Sequence, residues 1–225
     1  MTKVAIIGGT GLTTINGLEI TGREIIQTPF GEPSGPLVQG IFSGNKVYFL
    51  PRHGGGHTIP PHKINYRANI WALKNAGIEK VIAVNAVGGI RKDMQPGTLI
   101  IPDQVIDYTV SRINTFFEES LKNVVHIDFT DPFCEDLRQS IINAAQSNSI
   151  SIIKEGTYAA TQGPRLETAA EINRLEKDGC DLVGMTCMPE VALAREIELC
   201  YDSLSVVGNL AAGRGTEIFT MAFFD

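Results

Sequence analysis

The sequence predicts an α/β domain built on a mixed central sheet. Short apolar runs alternate with segments whose apolar residues recur at helical spacing. Several of those runs end in glycine-rich or polar clusters, as expected where an open sheet gathers a ligand at its strand ends. At 225 residues, the chain can bury roughly 70% of its unfolded surface, enough for one sizeable core.

Each element follows in order. Residues 4–7 are a continuous apolar strand ending in Gly8-Gly9. Residues 37–42 and 47–50 pair as a hairpin around Ser43-Gly44-Asn45-Lys46. Pro60-Pro61 interrupts regular structure. Ile64, Ala68, Trp71 and Ala72 mark a helix that Gly77 stops. Residues 81–84 are a buried-type strand, and 98–101 with 105–106, flanking Pro102, read as edge strand and turn. Asp131-Pro132 predicts an N-cap and first-turn proline, with Phe133, Leu137, Ile141 and Ala144 as the apolar stripe. Strands are expected at 150–153 and 157–160. A helix is expected at 167–178, with Ile172 and Leu175 inward and Gly179 as its stop. A strand at 182–183, a proline-opened helix at 189–197 and a strand at 204–207 complete the pattern. No repeat or linker intervenes, so 1–225 reads as one domain. The ending Phe223-Phe224-Asp225 is read either as the stub of a missing closing helix or as a frayed apolar tail.

Composition excludes several classes. With 43% hydrophobic and 20% charged residues, the chain is not globally disordered. A net charge of −6 leaves no broad basic face for nucleic acid, only room for a local anion site. No apolar run approaches the ~20 residues of a membrane span and no signal peptide opens the chain, so a cytoplasmic protein without a membrane partner is expected. Cys134, Cys180, Cys187 and Cys200 form no CxxC pair; they are expected as reduced thiols, and zinc is not.

Five strand ends carry polar or glycine-rich pieces: Gly8-Gly9-Thr10-Gly11, Arg52-His53-Gly54, residues 85–89, Met185-Thr186 and Asn209. Backbone N–H groups and the Thr10 hydroxyl suit an anion; a simple tight turn is the lesser alternative that the glycines leave. The dinucleotide fingerprint is incomplete there. Arg52 and His53 together can hold a phosphate, or be a solvated pair. His53 and His57 have metal-ligand spacing, but the three intervening glycines argue against the helix that spacing needs. Taken alone, Glu167 can be a helix N-terminal charge, Asn209 a cap, His126 a satisfied structural histidine and Met185 a core residue. Convergence of all five ends favours a shared pocket.

These segments together resemble the trimeric purine nucleoside phosphorylase family, in particular its methylthioadenosine phosphorylase branch. The resemblance is carried by residues 6–12, Thr28-Pro29-Phe30-Gly31, Arg52-His53-Gly54, His57-Thr58-Ile59, residues 65–73, Gln162-Gly163-Pro164-Arg165 and residues 185–190. It implies a single-domain, three-layer phosphorylase/hydrolase-like α/β fold with a mixed central sheet. It also implies a homotrimer, and a pentosyltransferase that uses inorganic phosphate as co-substrate and no cofactor or metal.

By position, Thr10, Arg52, His53, Ala86 and Thr186 resemble phosphate contacts, and Asn85 stands where the branch has threonine. Met185 resembles the residue under the ribose, and Leu166 occupies a base-stacking position. His126, with Phe116, resembles residues that approach a neighbouring subunit's site. His57-Thr58-Ile59, Phe219 and Met221 resemble the apolar 5′ side. The base segment Gly208-Asn209-Leu210-Ala211 lacks the aspartates of the adenine-using branch. Glu167 and Asn209 instead resemble the pair used on 6-oxopurines. A carboxylate can accept from N1–H of hypoxanthine, which adenine lacks. The expected reaction is therefore phosphorolysis of S-methyl-5′-thioinosine to hypoxanthine and 5-methylthioribose 1-phosphate. The alternatives are inosine or guanosine as substrate, methylthioadenosine as substrate, or nucleoside binding without turnover.

Overall fold

The apolar run near the N-terminus becomes β1 (Val4–Gly8), an inner strand of a mixed sheet. The computed structural model describes residues 2–9, 16–118 and 123–215. β2 (Leu18–Glu24), β3 (Leu37–Phe42) and β4 (Asn45–Pro51) form an antiparallel meander, and β4 then pairs parallel to β1. The β3–β4 turn is the expected one: Ser43 (φ 48°) and Gly44 (φ 76°) both take the left-handed conformation that a two-residue hairpin requires. β2 has no counterpart in the sequence reading. It is an outer strand with mostly exposed residues, so it carries no apolar run to find.

Helix α1 (Tyr66–Asn75) is capped by the Asn65 side chain, which accepts from the Ala68 N–H. It leads through Gly77 (φ 74°) into β5 (Lys80–Gly89). β6 (Leu99–Ile100) and β7 (Gln104–Asp107) follow, and β7 is the sheet's other outer strand. Helix α2 (Glu135–Ser147) starts later than expected, with Cys134 rather than Asp131 at its N-cap. Its buried residues are Leu137, Ile142 and Ala145, one position on from Ile141 and Ala144, because the later start rotates the stripe. Residues 150–153 are not a strand; only Ile153 bridges, to Ile100. β8 (Thr157–Ala160) and α3 (Ala169–Lys177) are as expected, except that a Thr168/Glu171 capping box sets the start of α3. β9 (Leu182–Gly184) leads to α4 (Cys187–Glu196), in which Met188 is extended, so the regular helix opens at Pro189. β10 (Cys200–Leu210) closes the sheet beside β5.

A gap in strand pairing positions the site. Along β5, residues 80–83 pair with β1, and Gly88 and Gly89 pair with β9. Residues 84–87 therefore meet neither strand, while β10 runs alongside the whole of β5. At the base of this fork sits Arg52, only 2% exposed. Its Nη2 donates to the Ile7 carbonyl (3.2 Å) on β1 and its Nη1 to the Val84 carbonyl (2.9 Å) on β5. Glu190 of α4, fully buried, takes Nε (2.6 Å) and Nη2 (3.0 Å), and Tyr201 of β10 donates to the same carboxylate (2.9 Å). Burial alone would lower the Arg52 pKa. The Glu190 charge and hydrogen bonds outweigh it, so the guanidinium stays charged.

One expectation is corrected. Cys134 and Cys200 are joined by a disulfide, their Cα atoms 5.2 Å apart. Cys134 caps α2 and its N–H reaches the Tyr201 carbonyl, which places it against the first residue of β10. A pairing across 66 residues has no local signature in sequence. Cys180 and Cys187 are unbridged and buried.

Two stability predictions follow from buried charges. Removing the anion with Glu190→Ala leaves the Arg52 charge uncompensated and should cost about 3–5 kcal/mol in denaturant unfolding. Asp202 is fully buried; its Oδ1 accepts the Ser203 N–H (2.8 Å), and its Oδ2 has no partner among the described residues. Burial pushes its pKa up to about 8, against the pull of the Ser203 N–H and Arg138 and with Glu135 adding to the rise. The unfolded chain ionises Asp202 near pH 4, so the folded state holds the extra proton between pH 4 and 8 and loses stability as pH rises through that window. Asp202→Asn should therefore gain on wild type by about 5 °C or more in Tm between pH 5 and pH 9. A pH-independent difference would contradict the raised pKa.

Candidate active site

The sequence-derived residues fall on two sides of the β5 gap, apart from His126 and Phe116, described below, and those outside the described residues. Thr10, Phe219 and Met221 are in that second group. On one side, the antiparallel β5–β9 pairing runs Thr186 back beside Asn85. The Thr186 hydroxyl donates to Asn85 Oδ1 (2.9 Å), and Asn85 Nδ2 donates to the Ser203 hydroxyl (2.7 Å). Both side chains are buried. Ala86, although on a central strand, is exposed, which marks the open floor of the cleft.

Arg52 and His53 follow β4 directly, and the Arg52 N–H bonds to the Gly8 carbonyl at the end of β1. The guanidinium fork expected to grip phosphate is closed on Glu190 instead. Of its five N–H groups, one on Nη1 is left among the described contacts. His53 Nδ1 lies 2.8 Å from the Ile59 carbonyl, so that nitrogen carries the proton and Nε2 presents a lone pair. His57 stacks on it at 4.3 Å. Burial lowers the His53 pKa to about 4; the Ile59 bond opposes this, and the Arg52 and His57 charges assist it. The ring is neutral at pH 7 and suits the O–H of a hydrogen phosphate better than a bare oxyanion.

The other side is built from the ends of β8, β9 and β10. Thr161, following β8, donates to Glu167 Oε1 (2.7 Å). Among the described residues, Oε2 has no partner and can accept from a ligand. Gly163 (φ 60°) lies directly on the Met185 side chain, so a Cβ there would collide with its sulfur. Leu166 is 49% exposed and covers nothing in this state. In β10 a bulge at Gly208 shifts the register, so that Val207 pairs with Val87 but Asn209 with Gly88. Asn209 Nδ2 donates to the Leu210 carbonyl (2.8 Å), and among the described residues its Oδ1 and second N–H have no partner. A Cβ on Gly88 would press on Val183 of β9 (3.1 Å) and meet the Asn209 amide only at ordinary contact distance (3.5 Å). Leu210 is half-buried beside it. Ala211 packs in a small apolar cluster with Ile90, Ile172 and Val183, so its methyl belongs to the core.

His126 is not brought to this cleft. It is exposed, and the next residues, Ile127 and Asp128, line a hollow with Arg195 and Glu198 at the far end of α4. That is about one helix length, ~15 Å, from Thr186. Phe116 stacks on Phe30 within the chain (5.0 Å), and its N–H bonds to Glu196 (2.8 Å). No group of three metal-ligating side chains occurs among the described residues.

The sequence reading named neither Thr161 nor Arg112 and met Glu190 only inside a motif. Arg112 had one available signal: it is the sole charge between Tyr108 and Phe117.

The phosphorylase superfamily profile matches residues 3–225. A Pseudomonas syringae pv. tomato protein named "Probable S-methyl-5′-thioinosine phosphorylase" is 54% identical over 222 residues, which is 99% of this chain and 90% of its own. A Pyrococcus furiosus "6-oxopurine nucleoside phosphorylase" is 48% identical, covering 98% of this chain and 84% of its own. Among solved structures, methylthioadenosine phosphorylase from Schistosoma mansoni in complex with tubercidin superposes with a TM-score of 0.90 at 39% identity, covering 95% of this chain and 84% of its own. By sequence across almost its whole length and by fold, the chain belongs to the phosphorylase superfamily.

Proposed function

We propose that this chain catalyses phosphorolysis of S-methyl-5′-thioinosine, giving hypoxanthine and 5-methylthioribose 1-phosphate. The observation that carries the reading is the base end. Glu167 keeps Oε2 for an N1–H, and Asn209 keeps Oδ1 and one N–H for N7 and O6. Adenine offers a lone pair at N1, which the carboxylate repels. The relatives named for methylthioinosine phosphorolysis support the same assignment. A second reading, phosphorolysis of inosine or guanosine, is favoured by the relative named for 6-oxopurine nucleosides, because it uses the same base edge.

In the reaction the C1′–N9 bond breaks first, leaving an oxocarbenium-like ribose. A phosphate oxygen then bonds to C1′, and the proton carried by hydrogen phosphate is balanced by the one the purine takes up. Thr10, His53, Ala86 and Thr186, with the remaining Arg52 N–H, hold the phosphate; Asn85 acts through the Thr186 hydroxyl it fixes. Met185 and Leu166 line the ribose and base, with Leu210; Met221, outside the described residues, is assigned to the 5′ side by the resemblance alone. Glu167 orients the purine by accepting from N1–H, while Asn209 donates to O6, where negative charge builds, and its Oδ1 accepts from N7–H once the departing purine takes up its proton there. No cofactor takes part. We assign one domain over 1–225 and a cytoplasmic location, where nucleosides and phosphate meet. We also assign a homotrimer in which His126 serves a neighbour's cleft, which accords with its distance from its own.

A panel of methylthioinosine, methylthioadenosine, inosine, guanosine and adenosine, each with and without phosphate, tests the reading. Methylthioinosine should show the highest kcat/KM, and only with phosphate; preference for an adenine nucleoside would refute the base assignment. Asn209→Asp alone should cut methylthioinosine turnover with little gain on methylthioadenosine. Adding Glu167→Ser should move the ratio of the two kcat/KM values at least roughly tenfold toward adenine, since each mispaired polar group costs ~1–3 kcal/mol. The core position of Ala211 makes an aspartate there a poor third change.

A further inference from the structure

Arg112 lies in the stretch between β7 and α2, half-buried, and no carboxylate pairs with it among the described residues. Its guanidinium is nonetheless fully used. Nη1 reaches the Met188 carbonyl (2.6 Å), the Met185 carbonyl (2.7 Å) and the Tyr66 hydroxyl (3.1 Å). Nη2 reaches the carbonyls of Gln162 (2.7 Å) and Thr161 (3.2 Å), and Nε reaches Gln162 Oε1 (3.2 Å).

These acceptors belong to the two halves of the site. Met185 and Met188 bracket Thr186, so Nη1 sets the turn that presents the Thr186 hydroxyl. Thr161 holds Glu167, and Gln162 precedes the glycine that rests on Met185, so Nη2 sets the purine-side loop. One rigid, planar fork fixes the spacing between them. Lysine cannot substitute, because a single ammonium on a flexible stem cannot face both carbonyl pairs.

We propose that Arg112 is a positioning residue that ties the purine-side carboxylate to the turn holding ribose and phosphate, so that occupancy of one end is felt at the other. The proposal rests on the phosphorylase reading above. Displacement of either half by an ångström would cost on the order of 10²-fold in rate. Linkage through one group also makes the two substrates bind cooperatively.

The test compares wild type, Arg112→Lys and Arg112→Ala as full chains, at a temperature where thermal melts show each folded. Initial rates are measured over a grid of methylthioinosine and phosphate concentrations. We expect kcat to fall roughly ten- to hundredfold. KM for both substrates should rise, and phosphate should no longer tighten the nucleoside. Low-millimolar guanidinium should restore part of the Arg112→Ala rate, whereas ammonium should not. Should Arg112→Ala fail to fold, Arg112→Lys carries the kinetic comparison. Folded variants with wild-type kinetics and only a lower Tm would overturn the proposal, as would a rise in one KM alone. A wild type inert on every nucleoside would reject the phosphorylase reading itself, and the proposal with it; an active wild type with unaltered variants rejects only the role of Arg112.

Discussion

The buried pair of Arg52 and Glu190 is the contact on which the rest of the structure leans. Where β1 parts from β5, two backbone carbonyls lose their strand partners inside the protein. Unpaired, each would carry a desolvation penalty of ~1–3 kcal/mol. The guanidinium satisfies both and carries its charge into the core only because Glu190 meets it there. The same carboxylate fastens α4 to β10 through Tyr201. Sheet opening, helix placement and cleft are thus consequences of one charge pair. A salt bridge so deep is a poor source of net stability; its value here is that it lets a sheet be split without orphaned backbone.

The hydrogen-bond accounting of the cleft is uneven. At the phosphate end Arg52, Asn85, Thr186 and His53 are largely committed to one another or to the backbone. In the proposed phosphate-binding role they would form a preset cradle that needs little reorganisation when an anion arrives. At the base end Glu167 and Asn209 each retain capacity. Under the proposed function, a rigid anion seat would face an open edge for reading the purine.

Much of this was legible in the sequence, because the signals were local. The strand ending in Gly8-Gly9, the Ser43-Gly44 turn, the Gly77 and Gly179 stops and the Pro189 helix start each rest on a few neighbouring residues. Glu167 and Asn209, by contrast, carried no decisive local signal: alone they read as a helix-terminal charge and a cap, and only the resemblance of whole segments pointed to a purine role. What was missed is long-range or faintly patterned. β2 is too exposed to show an apolar run, and the disulfide joins residues 66 apart. The Asp131-Pro132 signal was sound chemistry overridden by Cys134 docking on β10. The fork of Arg52 looked free for phosphate because its partner lies 138 residues away.

The bulge at Gly208 means that the residue to which the proposed function gives the purine edge is chosen by backbone count as much as by side chain. Faces alternate at every step along a strand, so a single inserted residue decides which neighbour looks into the cleft. Without it, the strand would turn Asn209 away from its present direction and bring an adjoining aliphatic residue toward the purine. Substrate choice in such a fold can therefore drift by the gain or loss of one codon, a route that a comparison of aligned side chains would not reveal.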